Sequence, residues 1–161
     1  MKAWTGLVMA GALSLAATRS NAGLFDSPPP SFPEGAGKIV YRMGPVHYDP
    51  GWVDTIIVCD NLADVTAGIG VEYFDGKNEA AGIVTRVSVP AGGKVTFATS
   101  ADAGGPGATV IMGLPQMEDG KARVSGTTAN LSCSGKHRVR SSDGGTREIP
   151  LELVKKVALS D

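Results

Sequence analysis

Two cysteines and two histidines carry the strongest intrinsic chemistry in this 161-residue sequence. Cys133 and His137 lie four residues apart, and His47 lies far upstream. A blue-copper centre needs one thiolate and two imidazoles, usually with a weak axial methionine. Both histidines would then have to serve, and no methionine follows His137, because Met112 and Met117 both precede it. Ligand count and order therefore count against copper, and no cofactor is expected. His47-Tyr48-Asp49, with Met43 nearby, is a second candidate metal site. A lone histidine beside a Pro-Gly turn reads first as a solvated loop residue.

The other chemistry-bearing cluster is basic. Lys136, Arg138 and Arg140 alternate with His137 and Val139, and Arg147 follows a Ser-Ser-Asp-Gly-Gly turn. In a strand the three alternating cations share one face. Such a hairpin suits an anionic glycan, lipid head groups or nucleic acid. Its alternative role is to guard a strand edge against aggregation. Nucleophilic hydrolysis has no local support, since the sequence contains neither a G-x-S-x-G elbow nor an H-E-x-x-H helix. The Gly68-Ile69-Gly70 and Gly104-Gly105-Pro106-Gly107 clusters lack the Lys-Ser/Thr that a phosphate loop requires. They read as bulges and turns. No enzyme is expected. A net charge of −1 argues against an electrostatic nucleic-acid binder.

These residues need a scaffold, and the sequence predicts an all-β one. Residues 1–22 carry a lysine, an uncharged apolar run and Ser20-Asn21-Ala22. This is the pattern of a cleaved signal peptide, with a mature start at Gly23. The apolar run is shorter than the roughly 20 residues that span a membrane, so the mature chain is expected to lack a transmembrane segment. Removing Lys2 and Arg19 lowers the net charge from −1 to −3. An exported chain with two cysteines predicts a Cys59–Cys133 disulfide in a periplasmic or extracellular protein. Residues 23–37 are rich in proline and glycine and read as a flexible segment that Phe25 and Phe32 could dock. Residues 38–161 form the predicted domain. Short β-branched runs recur there between Gly, Pro, Asp and Asn, with Ala67, Ile69, Val71 and Tyr73 on one face. That recurrence predicts an antiparallel β-sandwich or barrel. The 147–159 segment fits both a strand and a helix pattern and is read as a closing strand.

Three stretches, IIVCDNLADVTAGIGVEYFD, VSVPAGGKVTFATS and GKARVSGTTANLSCSG, resemble a loose group of uncharacterised exported bacterial proteins. The resemblance covers about half the mature chain and implies an immunoglobulin-like β-sandwich. It implies no activity, cofactor or site. VPAGGKVTF also resembles a strand of cupredoxins, which is the origin of the alternative reading as a small periplasmic copper-binding protein. The expectation is an exported structural or binding module of the cell envelope, whose partner is another envelope protein or an anionic glycan.

Overall fold

The computed structural model describes residues 27–77, 79–81 and 85–156. Within them the chain forms two five-stranded sheets packed as a β-sandwich. The first sheet has the order β10-β1-β7-β3-β4. Its strands are β1 (Lys38–Tyr48), β3 (Ala67–Phe74), β4 (Thr85–Val89), β7 (Met117–Gly126) and β10 (Leu153–Lys156). The second has the order β6-β5-β2-β8-β9. It contains β2 (Val53–Asn61), β5 (Lys94–Ala98), β6 (Ala108–Ile111), β8 (Leu131–Arg140) and β9 (Thr146–Pro150). All pairings are antiparallel except β5 with β6. That parallel pair needs a crossover, which runs over the outer face through a short 3-10 turn at Ala101–Ala103.

Period-two alternation explains the core. Ala67, Ile69, Val71 and Tyr73 of β3 face Ile57, Cys59, Val95 and Phe97 of the opposite sheet and are buried. Tyr41 of β1 crosses the interface to donate its hydroxyl to the Leu131 carbonyl, at 2.8 Å. A smaller cluster of Ile56, Ala98 and Ala103 lies on the outer face of the second sheet, beneath the crossover. The predicted Pro90–Gly93 turn is present, with Gly93 N–H donating to Pro90 and Gly92 at φ +67°. Asn61 ties this turn to the β2–β3 loop. Its side-chain amide donates to the carbonyls of Val65, Val89 and Pro90, and its oxygen accepts from Ala63 N–H.

Cys59 and Cys133 are directly opposed on β2 and β8, with Cα atoms 4.2 Å apart, and are joined by a disulfide. The bridge joins neighbouring strands of one sheet, whereas the antibody-domain disulfide spans two sheets.

The 147–159 segment is extended as far as Lys156, but it forms two strands belonging to different sheets. Leu151 makes the crossing and is buried against Gly135, where any Cβ would meet the Leu151 side chain at 2.6 Å. Residues 157–159 of the expected strand lie outside the described residues, as do the signal segment, Phe25 and Ile83.

Residues 27–37 lie across the outer face of the first sheet. Phe32 is buried there, over Gly68 of β3. A Cβ at Gly68 would come within 2.7 Å of the Phe32 ring, so the glycine clears a seat and makes neither a bulge nor a turn. Arg86 of β4 donates to the Ser31 carbonyl at 2.7 Å, and Ser88 bonds the Glu34 carboxylate. The deepest anchor is Arg123 of β7, whose side chain is fully buried.

Candidate functional site

The basic segment occupies β8, which lies between β2 and β9 and is therefore not an edge strand. The Ser141–Gly145 loop closes the β8–β9 hairpin through a Ser141 N–H to Gly145 carbonyl bond, with Gly144 at φ +84°. Asp143 caps the loop. The Ser141 hydroxyl and then the Gly145 N–H, both donating to its carboxylate, hold its pKa below the usual range.

Lys136, Arg138 and Arg140 share the outer face, and the register decides what they meet there. Arg138 is directly opposite Glu148, whereas Arg147 is opposite Val139. Opposed residues point to the same side, so Arg147 lies on the other face of the hairpin with His137, Val139 and Ile149. The structure thus brings three of the four expected cations together and sets Arg147 apart.

Each of the three has an acidic partner. Lys136 Nζ is 2.7 Å from Glu148 Oε1, and Arg138 is 3.9 Å from the same oxygen. The Lys136 hydrogen bond is the main reason the Glu148 carboxyl titrates below its ordinary value. Arg140 reaches Asp54 Oδ2 at 3.1 Å and Asp102 Oδ2 at 3.6 Å. Asp54, Asp102 and Glu148 were not singled out in the sequence. Asp54 and Asp102 lie 86 and 38 residues before Arg140, and Glu148 lies 12 residues after Lys136, so only strand register and the crossover bring them close.

Together Asp102, Arg138, Arg140, Thr146 and Glu148 line an open concavity of about 750 Å³. Its charges are mixed, so it is no bare anion funnel. The Lys136–Glu148 pair is exposed to solvent, which screens it, so it contributes little to stability. Arg140 differs, because the side chain of Asp54 is only 4% exposed. Replacing Arg140 by Ser leaves that buried carboxylate with the Thr99 hydroxyl but no countercharge, and is expected to cost about 1–3 kcal/mol. Lys136→Ser and Arg138→Ser are each expected to cost less than about 1 kcal/mol. Urea unfolding of the three single variants measures this ranking. A Lys136→Ser loss as large as that of Arg140→Ser would contradict it.

One edge of this sheet is β9, and it carries its own protection. Ser141 N–H bonds the Gly145 carbonyl and Leu151 N–H bonds the Gly135 carbonyl. Antiparallel alternation then turns the backbone of Thr146, Glu148 and Pro150 outward. Pro150 offers no donor there, which limits pairing with another strand.

The two histidines come together across the sandwich. His47 of β1 and His137 of β8 have ring centroids 6.4 Å apart in an edge-to-face arrangement, with planes at 76°. Alternation places His137 on the core side of β8, between Thr55 and Ile149 on the neighbouring strands. Thr55 donates its hydroxyl to the His47 carbonyl at 2.7 Å. Burial, followed by the nearby His47, pushes the His137 pKa down, and a hydrogen bond to the Pro45 carbonyl partly opposes this. His137 Nε2 is shielded from solvent and has no hydrogen-bond partner. Elsewhere in the core, burial pushes the Tyr73 phenol up.

The disulfide uses both cysteines, leaving no thiolate for a blue-copper centre. Among the described residues no group of three or more His, Cys, Asp or Glu side chains could hold a metal ion. No helix among them is long and apolar enough to cross a membrane. No known protein family, curated protein or solved structure matches the chain.

Proposed function

We propose that this chain is an exported structural or binding module of the bacterial cell envelope, with no catalytic role of its own. The observation that carries the reading is the Cys59–Cys133 disulfide facing the sandwich core. Such bonds persist in oxidising compartments and are rare in the cytosol. The signal-like residues 1–22 and the resemblance to exported bacterial proteins support the same placement. The partner surface is the outer face of β8 and β9, where Lys136, Arg138 and Arg140 meet Asp102, Thr146 and Glu148 around the concavity. An anionic envelope glycan or an acidic envelope protein fits that face by exchange with the exposed carboxylates.

The test is expression of the full chain in a bacterium, followed by fractionation and N-terminal analysis. Periplasmic or external protein beginning within about two residues of Gly23 is expected. Intact Met1 in the cytosol, with both cysteines alkylated before reduction, would overturn the reading. Sedimentation with anionic glycan at low and high salt tests the partner face. Wild-type binding should fade as salt screens the charges, and the Lys136→Ser/Arg138→Ser variant should bind less at low salt. Equal binding by both proteins would exclude this face.

A further inference from the structure

We propose that His47 and His137 form a binding site for a late first-row transition-metal ion, held by two imidazoles contributed from opposite sheets of the sandwich. The inference is independent of the envelope reading and uses no cysteine. It rests first on placement. The residues are 90 positions apart in sequence, yet their rings lie 6.4 Å apart, centroid to centroid. Metal–nitrogen bonds of about 2.0–2.1 Å put the centroids of two ligating imidazoles about 5 Å apart on a tetrahedral ion and about 6 Å apart when opposed. The observed pair is within reach of that range by small side-chain rotations.

The second observation is the hydrogen bonding of His137. Its Nε2 has no partner and is closed off from solvent. A metal-ligating imidazole presents an unshared nitrogen lone pair to the ion, and a ring nitrogen with no hydrogen-bond partner can do so. A buried nitrogen left unpaired costs free energy, and a bound ion would satisfy it.

The ligand chemistry narrows the ion. Imidazole suits zinc, copper and nickel, whereas magnesium and calcium take oxygen ligands. No third His, Cys, Asp or Glu joins the pair among the described residues, so the two imidazoles are the protein ligands of the site.

Zinc is the probe of choice because it has no redox chemistry. Chelator-stripped, untagged mature protein with its disulfide intact is titrated with zinc chloride at neutral pH. One ion per chain is expected, together with a zinc-dependent rise in the thermal midpoint and shifts in the ring signals of both histidines. Magnesium and calcium should produce none of these. His47→Gln and His137→Asn should each abolish the stoichiometric site and the midpoint rise. His47 is only partly buried, so its variant keeps the test valid if His137→Asn folds poorly. No saturable zinc binding by the wild type would overturn the proposal. Binding that persists in His47→Gln with unmoved His137 signals would do so too, since the ion would then sit on the terminal amine or surface carboxylates.

Discussion

The Cys59→Ala/Cys133→Ala variant is expected to lose about 4–4.5 kcal/mol of stability relative to the oxidised protein. The bridge links residues 74 positions apart. The chain-entropy treatment of a loop that long yields about 4.5 kcal/mol, through restriction of the unfolded chain. Typical net stabilities are about 5–15 kcal/mol, so the variant should be marginal at growth temperature. The loss should be entropic in origin, because each alanine gives up only one buried sulfur and β2 still pairs with β8 over nine residue pairs. Guanidinium unfolding of the oxidised, reduced and double-alanine proteins measures it. Reduced and double-alanine proteins should behave alike, both well below the oxidised form. A difference under about 1 kcal/mol would show that the unfolded chain is already compact enough to make the link redundant.

Arg123→Ala is expected to be the next most damaging change, for a different reason. Its guanidinium grips Glu72 with two bonds, Nε–Oε2 at 2.6 Å and Nη2–Oε1 at 3.0 Å. It also donates to the carbonyls of Ser27 and Pro28 and to the Ser27 hydroxyl, and it stands 5.1 Å from the Phe74 ring centroid. Removing one member of a buried pair leaves the other charge uncompensated, at a cost of about 3–5 kcal/mol. Glu72 is 12% exposed, so some of that is recovered by solvent and the lower part of the range is expected. The second effect is local. Residues 27–30 lose their anchor, while Phe32 and Ser31 keep theirs. Limited proteolysis should therefore cut Arg123→Ala near residues 27–31 under conditions that leave the wild type intact. Glu72→Gln should cost less, because the amide oxygen still accepts from the guanidinium and no bare carboxylate remains. An Arg123→Ala protein with unchanged stability and an uncut N-terminal segment would show that the strap holds without the arginine.

Local chemistry made much of the sandwich legible. The β3 alternation, the Pro90–Gly93 turn and the Ser141–Gly145 turn each follow from a few neighbouring residues, and each is present. The cysteine pairing was legible because only two cysteines exist. Partnerships between distant segments were not. The Lys136, Arg138 and Arg140 stripe looked like an unopposed patch because its carboxylates arrive from β2, the crossover and β9. Gly68 looked like a bulge because the ring that fills its space comes from Phe32, 36 residues earlier.

By itself the sequence determined strand content, turn positions and the one available disulfide, because side-chain period and backbone preference act within a few residues. Only the tertiary structure decided which strands are neighbours. It placed β6 parallel to β5, split the C-terminal segment between two sheets, buried Arg123 under the 27–37 strap, and brought His47 to His137. Strand order is a global property. It is set by how all the apolar faces can be buried at once, and a single strand's residues do not encode its partner.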